Sequence, residues 1–171
     1  MIGECVDREE PFGIILIKEG QEVGGPADPV KIGTTSRIAQ VERLDEGRLN
    51  IMTKGEKRFE VVEITQQVPH VVALVRYLTE ESGEESDSVY QETKEAYGGD
   101  LRHLTSLTGG WTAQAEVPDD PVTLSFAVAS SLASGIEIPR AVKQDLLETP
   151  DAAERLEKLL PLLKRGNEML S

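Results

Sequence analysis

The sequence predicts an α+β protein in which a β-rich half is followed by a helical half. Three observations carry that expectation. Between Phe12 and Leu78 the chain breaks into short runs rich in β-branched residues, punctuated by turns. From Val89 onward the apolar residues return every three or four positions instead. Between the two lies Thr79 to Ser88, acidic and poor in apolar side chains, with the composition of a connection.

The first strand is Phe12 to Lys18, a continuous apolar run of strand length. Gly20, Gly24-Gly25-Pro26 and Asp28-Pro29 make a long turn-rich connection, with Val23 inside it. Val30 to Leu44 has strand composition and is expected to bend near Gly33. Asp45-Glu46-Gly47 is the cleanest hairpin signal, because its Gly accepts a positive φ at no steric cost. Arg48 to Ile51 alternates on the far side, Lys54-Gly55-Glu56-Lys57 reads as a further turn, and Arg58 to Ile64 alternates again. Pro69 opens a last strand, Val71 to Leu78. Five or six short strands at this spacing predict a small barrel or sandwich.

In the helical half, Val89 to Tyr97 is expected to be stopped by Gly98-Gly99, and a short Leu101, Leu104, Leu107 series by Gly109-Gly110. Asp119 or Asp120 caps the next helix ahead of Pro121, and Leu124, Val128 and Leu132 form its stripe. Pro139 starts a shorter helix bearing Val142, Leu146 and Leu147. Thr149 or Asp151 caps the last, where Leu156, Leu159, Leu160, Leu163 and Leu170 line one face. Pro161 lies inside that pattern and is expected to kink or interrupt it, at a cost of about 3 kcal/mol. The expected organisation is therefore a β-rich domain over 1–78, an acidic linker and helical connection over 79–118, and a helical subdomain over 119–171.

Composition narrows the function classes. The 171 residues carry 31 acidic against 18 basic side chains, a formal charge of −13. Nucleic-acid affinity rests largely on Lys and Arg releasing phosphate counterions, so this balance argues against it. No apolar run approaches bilayer length, and the acidic start is unlike a signal peptide, so a cytoplasmic location without membrane contact is the expectation. Cys5 is the sole cysteine, which excludes an intramolecular disulfide or a cysteine cage for a metal.

The sequence holds no phosphate loop, no nucleophile elbow, no Ser–Lys pair and no paired-histidine zinc helix. His70 and His103 stand 33 positions apart, a spacing that supports no zinc site, and Asp45-Glu46-Gly47 continues into Arg48-Leu49 rather than calcium ligands. Catalytic, cofactor-binding and metal-ligating residues are all expected to be absent. Carboxylate pairs are too abundant to single one out. Val23, in the long turn, and Trp111, flanked by Gly109-Gly110 and Thr112, are the candidate partner-binding residues. For Trp111 the favoured reading is a plug in the groove between helices, with the partner anchor as the alternative.

Several pieces, in order and spacing, resemble the N-terminal substrate-binding domain of the Lon protease family. They are Glu10-Pro11-Phe12-Gly13-Ile14-Ile15-Leu16-Ile17, Glu22-Val23-Gly24-Gly25-Pro26 and Val30-Lys31-Ile32-Gly33-Thr34-Thr35. Asp45 to Ile51, Gly55 to Phe59 and Pro69-His70 continue the likeness, and the tail from Asp145 to Lys164 is similar to the family's accompanying bundle. Arg58-Phe59 and Gly33-Thr34-Thr35 carry the resemblance as structural residues. The resemblance implies a PUA-like β pseudo-barrel followed by a C-terminal α-helical bundle, and recognition of unfolded or extended protein segments or adaptor proteins. It implies no catalysis here, since the family's ATPase and Ser–Lys peptidase parts have no counterpart in these residues. The family's opening Leu/Pro/Phe-rich strand has no match ahead of Met1 either. Either the start of the chain lies further upstream or the barrel is built without that strand, and in the second case an exposed strand edge would be open to strand addition or a homodimer. Two other readings stand beside it: an RNA-binding module, as PUA-like barrels are in other families, and the ATP-dependent peptidase component that the family name suggests.

Overall fold

The computed structural model describes residues 1–20, 27–81, 83, 87–107, 116–135 and 138–170. The chain divides into two compact units, Met1–Leu78 and Thr79–Ser171.

The first unit opens with a short helix, α1 (Ile2–Arg8), closed by Glu9 in the left-handed conformation at φ 54°. The amides of Glu9 and Glu10 turn back onto the Val6 and Cys5 carbonyls and satisfy the helix end. Four antiparallel strands follow: β1 (Phe12–Gly20), β2 (Ala27–Arg43), β3 (Leu49–Gln66) and β4 (Val72–Tyr77), in the spatial order β1-β2-β3-β4. The mixed α+β architecture is thus present, with four strands among the described residues rather than five or six.

The count is lower because β2 and β3 are long. Lys54-Gly55-Glu56-Lys57, expected as a turn, continues β3. Gly55 pairs with Ser36 and Arg58 with Thr34, so two residues of β3 oppose Thr35 alone. Thr35 fills the gap with its side chain: its hydroxyl accepts from the Lys57 amide and donates to the Lys57 carbonyl, both at 3.2 Å. A glycine and three polar residues look like a turn by composition, but the neighbouring strand supplies partners that composition does not show. Asp45–Gly47 does turn the chain, as a single 3-10 turn with Gly47 at φ 75°.

The inner face of this sheet is thin. Phe59 is its one buried apolar side chain among the described residues, and its ring lies on the backbones of Gly13 and Gly33. A Cβ at Gly33 would sit 2.6 Å from the Ile14 carbonyl oxygen and 2.7 Å from the Phe59 ring, so glycine is required for close approach there.

The second unit is helical: α2 (Asp87–Leu107), α3 (Pro121–Gly135), α4 (Arg140–Glu148) and α5 (Ala152–Leu170). Its core gathers Tyr97, Leu124, Val128, Leu132, Ile138, Leu146, Leu156, Leu159 and Leu163, with α5 packed on both α2 and α3. Two expectations fail here. The pair Gly98-Gly99 does not stop α2, because glycine weakens a helix by about 1 kcal/mol without breaking its hydrogen bonds, and packing outweighs that. Gly98 is buried, its Cβ position 3.5 Å from the Val117 side chain. Nor does Pro161 end α5. Pro161 and Glu157 are both exposed, so the Glu157 carbonyl that loses its donor faces water, while Leu156, Leu159, Leu160 and Leu163 stay buried on the other side.

Capping follows the acidic residues. Asp120, not Asp119, holds the start of α3 by accepting from the Thr123 amide at 2.8 Å. This bond holds its carboxyl below the usual carboxylate range. Asp151 caps α5 through the amides of Ala153 and Glu154. Thr149 instead bonds the Asp145 carbonyl at the end of α4.

Candidate functional site: the open edge of the sheet

Apolar side chains left in water mark where a soluble protein meets something else. Among the described residues every exposed large hydrophobic belongs to the sheet unit, and every buried apolar side chain except Phe59 belongs to the helical unit. Seven of the exposed ones gather around β4 and the end of β3: Val62, Ile64, Val68, Val71, Val72, Leu74 and Tyr77, between 36% and 81% exposed. Side chains of that size at that exposure present on the order of 600 Å² of apolar surface in all, divided between the two faces of the sheet.

The pairing explains how they are placed. In β3, Val62 and Thr65 are extra residues with no opposite number on β4, so the strand is bulged twice while β4 stays regular. Each bulge re-phases the alternation of β3. Phe59, Val61 and Ile64 thereby share a face with Tyr77, Val75 and Ala73, and Glu60, Glu63 and Gln66 share the other with Arg76, Leu74 and Val72. Thr65 repeats the device of Thr35, its hydroxyl donating to the Val72 carbonyl at 3.2 Å. The apolar residues therefore flank both faces of the sheet at its β4 margin.

β4 is also an edge strand. The Leu78 amide donates to the Arg58 carbonyl, and the Val72 carbonyl accepts from Thr65, so the even-numbered residues turn their backbone groups toward β3. Alternation turns the amides and carbonyls of Ala73, Val75 and Tyr77 outward. Charges at this margin are few. Arg76 pairs with Glu60, and Lys57 lies over the Tyr77 ring, 5.5 Å from its centre.

A concavity lies between α1 and β2. Its volume is about 290 Å³, and Cys5, Val6, Glu9, Arg37 and Gln40 contribute to the lining. Arg37 is already engaged there: it pairs with Glu56 at 2.6 Å and donates to the Glu9 carbonyl at 2.8 Å, and Glu56 raises its pKa. Cys5 is a free, half-buried thiol.

Both candidate partner residues named from the sequence, Val23 and Trp111, lie outside the described residues, as does the His103 side chain. Among the described residues no group of three or more His, Cys, Asp and Glu stands together as a metal site would need. The sequence reading placed a strand over Val71 to Leu78 and raised an exposed edge, but did not identify this strand as that edge. Its signal was Val71 to Leu78, a nearly continuous apolar run with no alternation, which is how a strand meant to be covered on both faces reads.

The pattern of the ATP-dependent protease La (LON) substrate-binding domain matches residues 1–165. The chain belongs to that family. This LON substrate-binding domain is 28% identical to Lon protease 2 of Myxococcus xanthus over 99% of the chain, and spans 21% of that protein. It is 26% identical to the Lon protease of Anaeromyxobacter dehalogenans over 99% of the chain, and spans 20% of it. The match thus concerns the substrate-binding portion, about a fifth of these relatives. Two solved structures share the fold. A Lon N-terminal domain protein from Xanthomonas campestris superposes with a TM-score of 0.64 at 20% identity, covering 94% of this chain and 80% of its own. The N-terminal domain of Mycobacterium avium complex Lon protease does so with 0.58 at 19%, covering 91% and 90%. No helix among the described residues of the LON domain is long and apolar enough to cross a membrane.

Proposed function

We propose that this chain is a non-catalytic, cytoplasmic protein-recognition module that binds unfolded or extended polypeptide segments. The observation that carries this reading is the gathering of seven exposed apolar side chains around the β3–β4 margin of a sheet that, among the described residues, has a single buried apolar side chain. Sheets of a few strands need an apolar cover on at least one face to be stable, and this one leaves much of that cover to be supplied from outside. Family membership supports the same reading, because the matched portion is the one named for substrate binding. Of the polar side chains at the margin, Arg76 pairs with Glu60, and Thr65 and Gln66 bond backbone carbonyls.

The test is binding of a permanently unfolded protein, such as reduced and carboxymethylated lactalbumin, by titration calorimetry without nucleotide. Saturable binding with a negative heat-capacity change is the expected result. Absence of binding by this and other unfolded proteins would overturn the proposal. Casein incubated with the chain, with and without ATP, is expected to remain intact. The RNA reading is tested by retention at physiological salt, and the charge of −13 predicts none.

A further inference from the structure

We draw no further inference here: the strongest candidate, the apolar β4 margin of the sheet with the outward backbone groups of Ala73, Val75 and Tyr77, carries nothing further because nothing in the structure shows whether a client, a second copy or a segment of the domain itself covers it.

Discussion

Replacing Arg155 by alanine should destabilise the helical unit by about 3–5 kcal/mol, the range for stripping one partner from a buried charged cluster. The side chain is fully buried on α5. Its guanidinium donates to Ser125 Oγ on α3 at 2.9 Å, to the Thr149 carbonyl at 2.5 Å and to Glu80 at 3.3 Å, and stacks on the Phe126 ring with 4.2 Å to its centre. The two bonds to neutral groups are worth about 1 kcal/mol each, and the ring contact about the same. The emptied volume adds about 1 kcal/mol, which with the Glu80 pair brings the total to the top of that range. The Glu80 pair contributes least, about 1 kcal/mol, because that carboxylate keeps 28% of its surface in water.

These magnitudes predict an order. Arg155→Ala costs most. Arg155→Met keeps the volume, leaves the Ser125 and Thr149 acceptors without these donors, and costs about 2–3 kcal/mol. Glu80→Gln costs about 1 kcal/mol or less. The assay is urea unfolding followed by far-UV circular dichroism, with amide exchange on α3 and α5 to assign the loss to this unit. A double-mutant cycle between Arg155 and Glu80 should show a coupling near 1 kcal/mol. If Glu80→Gln matched Arg155→Ala, or if Arg155→Met were neutral, the assignment of the stability to the neutral acceptors would be refuted.

Gly33→Ala should destabilise the sheet by about 2–3 kcal/mol, since its Cβ would meet the Ile14 carbonyl and displace the Phe59 ring. Faster exchange of β1 and β2 amides is the readout, and wild-type exchange would refute it. Gly99→Ala, with nothing within 4 Å of the new Cβ inside α2, should stabilise the helical unit by about 0.5–1 kcal/mol, read as a higher urea midpoint. Asp120 has its pKa lowered by the bond from the Thr123 amide. Its contribution is therefore complete above the unfolded-state value and lost as pH falls through the lower folded one. The midpoint difference between wild type and Asp120→Asn should shrink below about pH 4, and a constant difference down to pH 2 would contradict the cap's role.

Several features were legible in the sequence because they rest on local chemistry. The change from strand to helix composition near residue 79, the Asp45–Gly47 turn and the leucine stripe of α5 are all written in spacing. The order of the motifs also carried the family, since each motif fixes a local backbone shape. What tertiary structure decided is what depends on a neighbour distant in sequence. Thr35 turns a predicted turn into continuous strand by bonding Lys57 across the sheet. Val117, and the leucines opposite Pro161, keep helices whole through residues that weaken them. The β4 edge is the same case. The sequence made Val71 to Leu78 apolar, but that β4 lies at a margin, with apolar side chains on both faces and three backbone pairs turned outward, follows from strand order and two bulges in β3. Hydropathy is a property of each residue; exposure is a property of what packs against it.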